Sequence, residues 1–207
     1  MQPQTLYIIR HGESVSNIDK TARATIADHQ IKLSELGEQQ CLKLGQDLAK
    51  EIQEPISIWT SPYKRARQTT QLFSQGLSHL PILYHEDPRI REQDWGNYYT
   101  DLEHTIMHQG LDNHSRFFYR MPHGEAGTDV FDRVSSFLEM LTRGNTSQTV
   151  LISTHGMTAM IFLMRLLHWT YEEYETTDWF YNCGFVRLEQ KNGAYQISLD
   201  CRQNQIP

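Results

Sequence analysis

The segment Arg10-His11-Gly12-Glu13 directly follows the apolar run Leu6–Ile9. Such a run predicts a buried strand of a parallel sheet, and sheets of this type bind ligands just beyond the carboxyl ends of their strands. His11 can act there as a nucleophile, because a neutral imidazole has a free lone pair near neutral pH. Arg10 adds forked donors that match phosphate oxygens. The segment predicts chemistry on phosphate; the alternative is a histidine that only satisfies its hydrogen bonds at a strand end.

Three further polar segments follow along the chain, and they are Ser61–Thr69, Arg89–Gly96 and Ser153–Gly156. The last of them includes His155, which follows an apolar run as His11 does, so two strands deliver two histidines to one edge of the sheet. Phosphoryl transfer needs a nucleophile, cations for the nonbridging oxygens and an acid for the leaving oxygen. Together the four segments contain residues for all three tasks.

In this order the four segments resemble the motifs of the histidine phosphatase superfamily, which includes cofactor-dependent phosphoglycerate mutases and many phosphatases. The resemblance extends from about residue 6 to about residue 168. Its wording is most similar to plant and fungal phosphoglycerate-mutase-like proteins, through the segments Arg91–Asn97 and Arg116–Arg120. The resemblance implies metal-independent phosphoryl transfer through a phosphohistidine.

The resemblance also implies a role for each of five residues. His11 attacks the phosphorus atom, and Arg10 and Arg65 hold the phosphate group. Glu92 donates a proton to the leaving oxygen and later takes one from water. His155 hydrogen-bonds the transferring phosphoryl group without attacking it.

Two of these assignments have rivals that the residues alone do not separate. Arg67 lies two residues from Arg65, and the motif selects Arg65; we expect Arg67 to be solvated or paired with a carboxylate. Asp94 lies two residues from Glu92, so in an extended segment both carboxylates point to one side. The motif selects Glu92.

Seven residues are candidate substrate contacts: Asn17, Glu13, Ser14, Gly156, Trp95, Arg116 and Arg120. Asn17 matches a polar position that resembles a phosphate ligand of relatives, whereas Ser14 could instead cap a short helix. The backbone amide of Gly156 is accessible to an oxyanion, especially if a helix begins there. Trp95 either forms a pocket wall or packs in the core, which is the commoner fate of a tryptophan.

Strand-like runs alternate with helical patterns, and the runs are Leu6–Arg10, Ile56–Thr60, Pro81–Tyr84 and Thr149–Thr154. This alternation predicts an α/β three-layer sandwich, with a mostly parallel, doubly wound sheet and helices on both faces. Ser34 is predicted to cap a helix that runs toward Ile52, and Pro62 suits the first turn of another. Asn192-Gly193 predicts a hairpin turn near the end of the chain.

Residues 97–127 are rich in Tyr, Phe and His and fit neither pattern. We expect an insertion over the carboxyl edge of the sheet, where it would select the substrate through Tyr98, Tyr99, Phe117, Phe118 and Tyr119. The alternative is a packed surface subdomain whose aromatic side chains only cover the core.

Composition excludes several classes of protein. The chain has 207 residues, 39% of them hydrophobic, and no linker divides it, so residues 1–207 are expected to form one domain. A net charge of −6 without a long basic run argues against a nucleic-acid partner. The apolar stretch Met157–Leu167 is broken by Arg165 and is too short to span a bilayer, so we expect no membrane partner and a soluble, cytoplasmic protein.

Cysteine and metal chemistry are also disfavoured. Three widely separated cysteines argue against a disulfide framework, and none begins a Cys-x5-Arg phosphatase loop. His104 and His108 have zinc-hydrolase spacing without the following glutamate, and the cluster His85-Glu86-Asp87 lacks ligand spacing. Because the metal-free apparatus is complete, we expect neither a metal nor another cofactor.

The expected function is hydrolysis of a small phosphate ester. Between Lys64 and Lys191 there is no lysine, and the insertion offers only Arg116 and Arg120 as cations. A weakly cationic cavity would hold a bisphosphorylated three-carbon acid poorly, which favours a phosphomonoesterase over a mutase. A phosphoglycerate mutase-type transferase and a non-catalytic phospholigand-binding module are the alternatives; binding alone would not need Glu92. The sequence leaves the oligomeric state open.

Overall fold

Six strands form one sheet in a computed structural model that describes residues 2–96 and 101–203. The strands are β1 (Thr5–Arg10), β2 (Ile56–Thr60), β3 (Ile82–Glu86), β4 (Thr149–Thr154), β5 (Phe185–Lys191) and β6 (Ala194–Cys201). Their order across the sheet is β3-β2-β4-β1-β5-β6. The strands β1 to β4 run parallel, whereas β5 and β6 form an antiparallel hairpin at one side. The predicted α/β class and mostly parallel sheet are confirmed.

Helices connect the strands, and they are α1 (Val15–Ile18), α2 (Glu35–Glu51), α3 (Lys64–Phe73), α4 (Asp101–His114), α5 (Gly127–Gly144), α6 (Gly156–Leu167) and α7 (Tyr171–Thr176). Short 3-10 helices cover Lys20–Ala24, Asp28–Gln30, Ser74–Leu77 and Pro88–Ile90. Of these helices, none in the described part of the chain is long and apolar enough to cross a membrane.

Two apolar cores lie on the two faces of the sheet. Leu6 and Ile8 of β1 pack with α5 and α6, whereas Tyr7 and Ile9 pack with α2 and α3. Alternate residues of a strand point to opposite faces, so a strand that is apolar at every position needs cover on both. This pattern gives the three layers, helix on sheet on helix, that the sequence predicts.

The predicted boundaries hold with three differences. The first strand begins at Thr5, one residue before the predicted Leu6. The third strand starts at Ile82 and continues to Glu86, two residues beyond the predicted Tyr84. Pro62 lies before α3 and not in its first turn, because the next residue, Tyr63, keeps an extended backbone and α3 begins at Lys64. Ser34 does cap α2, since its hydroxyl accepts the N–H of Gly37 at 3.0 Å.

The described part of the insertion contains α4 and the turns that follow it. Residues 115–126 contact the loop after the 3-10 helix Pro88–Ile90: the N–H of Glu125 donates to the carbonyl of Asp94 at 2.8 Å, and the side chain of Gln93 donates to the carbonyl of Glu125 at 2.8 Å. The insertion therefore adjoins the loop that carries Glu92.

Candidate active site

The residues that follow β1, β2 and β4 meet at one edge of the sheet. β4 lies between β1 and β2 with the ends of the three strands in register. The N–H of His11 donates to the carbonyl of Thr154 at 2.9 Å, and the N–H of Ser61 donates to the carbonyl of Ser153 at 3.0 Å. His11, Ser61 and His155 therefore lie next to one another at this edge of the sheet.

His11 is buried, with only 4% of its surface exposed. Its Nδ1 lies 2.7 Å from the carbonyl oxygen of Gly12, and its Nε2 lies 3.3 Å from the Nε–H of Arg65. These partners assign the proton to Nδ1 and leave the lone pair on Nε2. Burial, followed by the charges of Arg65 and Arg10, lowers the pKa of His11 well below its ordinary value. The ring is therefore neutral at neutral pH and can attack phosphorus.

His155 lies beside His11, with ring centroids 5.1 Å apart. It is fully buried, and its Nε2 lies 2.7 Å from the hydroxyl oxygen of Ser61. The ring of Tyr63 packs edge-on against it at 5.1 Å. Burial, followed by the charge of Arg65, lowers the pKa of His155 well below its ordinary value. A second neutral imidazole thus faces the first.

Arg10 supplies a cation at the same edge. Its guanidinium donates to the carbonyl of Phe180 and lies against Gly156, where an added Cβ would be 3.5 Å from Nε. The Nε atom of Arg10 and the Nδ1 atom of His155 are both buried and have no hydrogen-bond partner among the described residues. Buried polar atoms are normally paired, so these two nitrogens are suited to a ligand.

Arg65 and Arg67 have opposite environments, as the sequence predicts. Arg65 is 2% exposed, donates to both carboxylate oxygens of Asp28 at 3.2 and 3.1 Å, and points its Nε–H at His11. Arg67 is exposed and forms two hydrogen bonds with Glu86 at 2.6 and 2.7 Å. Of these two arginines, only Arg65 contacts the candidate nucleophile.

Glu92 lies at the amino end of α6. Its Oε1 accepts the N–H of Gln93 at 3.0 Å and both the N–H and the hydroxyl of Thr158 at 3.3 Å. Glu92 is 7% exposed, whereas Asp94 is exposed and accepts the N–H of Gly96. The segment is a loop and not a strand, so the two carboxylates diverge, and the geometry favours Glu92.

Arg133 of α5 holds the segment that carries Glu92. Its guanidinium donates to the carbonyls of Arg89 and Arg91 at 2.6 and 2.8 Å. Glu125 balances its charge through two hydrogen bonds at 3.2 and 3.1 Å. Arg133 therefore positions Glu92 through the backbone on either side of it.

The predicted substrate contacts after His11 are used mainly to hold their own loop. The carboxylate of Glu13 accepts the hydroxyl of Ser34 at 2.7 Å, and the N–H and hydroxyl of Ser14 donate to Asn17 Oδ1 at 2.9 and 2.8 Å. Ser14 precedes α1 as its N-cap, the alternative that the sequence allows. These contacts hold the loop, and the substrate roles of Glu13, Ser14 and the exposed Asn17 stay predictions.

The other predicted substrate contacts have mixed positions. Gly156 begins α6 beside Arg10, as the oxyanion interpretation requires. Trp95 packs against the apolar clusters, which favours the packing alternative. Arg120 is exposed and bound to Asp129 at 2.7 Å, so the prediction of a substrate contact for Arg120 is not supported. Arg116 is exposed and lies 5.5 Å from the centroid of the Trp179 ring.

The aromatic residues predicted to contact substrate have mixed positions. Phe117 is 7% exposed and packs in the core with α5 and α6, which favours the alternative that these side chains cover the core. Tyr119 packs on a small cluster of the insertion, and Phe118 is exposed. Tyr98 and Tyr99 lie outside the described residues.

Sequence reasoning assigned no role to five residues of this site: Arg133, described above, and Asn182, Asp28, Thr158 and Ser61. Asn182 donates to the carbonyl of His11 at 3.2 Å, and the roles of Asp28 and Thr158 depend equally on contacts between distant segments. For Ser61 a signal was available, because it follows β2 as His11 follows β1.

Among the side chains that the structure describes, no three metal-ligating groups come together. In the cluster His85-Glu86-Asp87, the two carboxylates are bound to Arg67 and Arg89. The side chains of His104 and His108 lie outside the described residues.

The chain is similar in sequence and in fold to known proteins. The family model of the histidine phosphatase superfamily (branch 1) matches residues 6–200. The chain is 35% identical over 221 residues to the phosphoglycerate mutase-like protein AT74H of Arabidopsis thaliana, with 96% of this chain and 79% of that protein covered. It is 27% identical over 273 residues to the broad-range acid phosphatase DET1 of Saccharomyces cerevisiae, covering 84% and 82%.

Among solved structures, Bacillus stearothermophilus YhfR is similar with a TM-score of 0.76 and 26% identity, covering 94% of this chain and 95% of YhfR. The sequence matches and the structural similarity agree. The chain belongs to the histidine phosphatase superfamily.

Proposed function

We propose that this chain hydrolyses a small organic phosphate ester, with His11 as the nucleophile. The observation that carries the proposal is the orientation of His11: the carbonyl of Gly12 accepts from Nδ1, and the unprotonated Nε2 accepts a hydrogen bond from Nε of Arg65, which an incoming phosphate would take over. Membership of the superfamily and the acid phosphatase among the relatives support an enzyme that acts on phosphate esters.

In the first step, Nε2 of His11 attacks phosphorus, and the bond from phosphorus to the ester oxygen breaks. The buried Nε of Arg10 and Nδ1 of His155 are the donors proposed for the phosphoryl oxygens. An arginine charge and a phosphate charge about 4 Å apart attract each other by about 4 kcal/mol at an effective dielectric of about 20, before the cost of desolvation. Glu92 supplies the proton that the leaving oxygen takes up, so an alcohol departs.

In the second step, water attacks the phosphohistidine. Glu92, now ionised, accepts a proton from the water, the bond from His11 to phosphorus breaks, and inorganic phosphate leaves. The same carboxyl group thus serves as acid and then as base. Arg133 keeps it in place through the carbonyls of Arg89 and Arg91.

We propose hydrolysis in preference to mutase activity, and without a metal. A mutase must hold a small, highly anionic substrate, yet Arg120 of the insertion is bound to Asp129 and Arg133 to Glu125. The nucleophile, cations and acid are all side chains of this chain, so the mechanism asks for no Lewis acid.

The test is hydrolysis of 4-nitrophenyl phosphate and a panel of phosphometabolites by protein treated with EDTA. His11→Asn should abolish turnover, and His79→Asn, which changes an exposed histidine, should not. Glu92→Gln should lower kcat by about 100-fold to 10,000-fold. The matched control is Asp94→Asn, which changes the exposed neighbouring carboxylate.

Acid-quench and base-quench trapping with a ³²P-labelled substrate identifies the intermediate. A base-stable, acid-labile label that His11→Asn lacks supports the proposal. Turnover that His11→Asn retains, or that EDTA removes, would overturn it. Phosphate exchange between phosphoglycerates that exceeds hydrolysis would favour the mutase alternative.

A further inference from the structure

A cavity of about 520 Å³ is lined in part by Tyr63, whose ring packs against that of His155. Two segments line it: the 3-10 helix Asp28–Gln30 and the junction between β2 and α3. The lining residues are His29, Gln30, Pro62, Tyr63, Lys64 and Arg67. None of them belongs to the insertion, residues 97–127, which is predicted from the sequence to select the substrate.

Tyr63 is the wall that this cavity shares with the site. Its ring lies 5.1 Å from the ring of His155, and the guanidinium carbon of Arg65 lies 5.0 Å from its centroid. On the cavity side, the ring of His29 is 6.4 Å away. Tyr63 therefore connects the cavity to the residues around the proposed phosphate site.

The charge of the cavity comes mainly from Lys64. This lysine is exposed and forms no ion pair with the described residues, whereas Arg67 is neutralised by two hydrogen bonds with Glu86. Asp28, which precedes the lining residues His29 and Gln30, is bound to Arg65 and Arg23. One uncompensated positive charge therefore stands at the first residue of α3, in the wall of the cavity.

We propose that this cavity receives the leaving group, and that the substrate is a phosphomonoester whose alcohol carries a planar ring and a second anionic group. The ring packs against Tyr63, and the anionic group pairs with Lys64. Two aromatic rings attract each other in stacked or edge-to-face arrangements, because the faces of each ring are negative and its edges positive. The ammonium group of Lys64 favours a substrate with a negative charge. This inference rests on the proposed hydrolysis at His11 and adds the class of substrate.

The first test compares phenyl phosphate with 4-carboxyphenyl phosphate in wild type, Lys64→Gln and Lys191→Gln. Lys64→Gln should raise KM for the carboxylated ester by about fivefold, the upper value for one exposed ion pair, while kcat and the KM for phenyl phosphate stay unchanged. Added salt should reduce the difference. Lys191→Gln changes an exposed lysine of the β5–β6 hairpin, and it should have no effect.

The second test concerns the ring. Tyr63→Leu should lower the ratio of kcat/KM for phenyl phosphate to that for ethyl phosphate. Comparison of this ratio between wild type and variant removes the difference in intrinsic reactivity of the two esters. A parallel loss for both esters would mean that Tyr63 only supports His155, and it would overturn the ring contact.

The outcomes separate the two proposals. If the wild type hydrolyses none of these esters, the proposed function fails. If it hydrolyses them but Lys64→Gln behaves like Lys191→Gln, hydrolysis stands and the anionic part of this inference is wrong.

Discussion

The two terminal nitrogens of Arg65 are bound to Asp28, while its Nε points at the nucleophile. Nη1 donates to the backbone carbonyl of Asp28 at 2.6 Å and to Oδ1 at 3.2 Å, and Nη2 donates to Oδ2 at 3.1 Å. Nε lies 3.3 Å from Nε2 of His11. An internal carboxylate therefore occupies the guanidinium fork that is expected to bind phosphate, and the incoming phosphate must share that fork or displace Asp28.

The first prediction follows from this carboxylate. Asp28→Asn removes a negative charge beside the phosphate site but keeps the backbone carbonyl that binds Arg65. We expect the Ki for competitive inhibition by inorganic phosphate to fall about fivefold, in keeping with about 1 kcal/mol for a partly exposed charge. Asp47→Asn on α2 is the control, since Asp47 pairs with lysines of its own helix. A higher Ki in Asp28→Asn would mean that Asp28 serves phosphate binding by orienting Arg65.

A second prediction concerns the acid. Because Glu92 is proposed to protonate the leaving oxygen, Glu92→Gln should slow phenyl phosphate more than 4-nitrophenyl phosphate, whose leaving group needs less protonation. The variant also lacks the base for the second step, so rapid-quench experiments with 4-nitrophenyl phosphate should show accumulated phosphoenzyme. Equal losses for both esters, without accumulation, would contradict the assignment of Glu92 and leave its contacts with Thr158 as structural.

The central parts of the site could be predicted because they follow from local patterns. Apolar runs fix β1 and β4, and the residue after each run, His11 or His155, must reach the same sheet edge in a parallel arrangement. Helix α2 was predictable from Ser34 and its periodic apolar residues. In these cases residues close in sequence carry the whole signal.

The remaining parts depend on contacts between distant segments. Asp28 and Arg65 are 37 residues apart, and Asn182 and His11 are 171 apart. Loops have no periodicity that would show which side chain turns inward, so Glu92 and Asp94 could not be separated by pattern alone. The position of Phe117 could not be predicted, because an aromatic residue near a site and one in the core look the same in sequence.

A third prediction concerns the packing of the nucleophile loop on α2. A Cβ added to Gly37 would lie 1.9 Å from the carbonyl oxygen of Glu13, so the loop and the helix would have to separate. Gly37→Ala should lower the free energy of unfolding by at least about 3 kcal/mol, as overpacking against backbone does. Guanidinium denaturation measures this change.

Gly144 provides the matched control for Gly37. It is the last residue of α5, and an added Cβ there would meet nothing within 4 Å. Gly144→Ala should raise the free energy of unfolding by about 0.5 to 1 kcal/mol, because alanine loses less backbone freedom on folding. Equal effects of the two substitutions would show that the loop adapts to a side chain at Gly37.

The fourth prediction is a loss of stability in acid, caused by the two buried histidines. Burial and then the charge of Arg65 lower the pKa of both His11 and His155 in the folded chain, whereas an unfolded histidine titrates near about 6.5. Below that pH the unfolded chain binds more protons than the folded chain. The free energy of unfolding should therefore fall as the pH decreases from about 7 toward 5, by up to about 1.4 kcal/mol per pH unit for each histidine.

Chemical denaturation across this range, with wild type and His11→Asn/His155→Asn, measures that slope. The double variant cannot take up these two protons on unfolding. The slope of its free energy of unfolding against pH should therefore be smaller than that of the wild type, by the contribution of up to two protons. Histidine NMR of the folded wild type gives an independent reading, since the two rings should still be neutral at the pH where an unfolded histidine is half protonated. A wild-type slope equal to that of the double variant, with both rings protonated near about 6.5, would mean that the folded chain leaves them as basic as free histidine. It would also remove the reason for expecting His11 to be a neutral nucleophile at acidic pH.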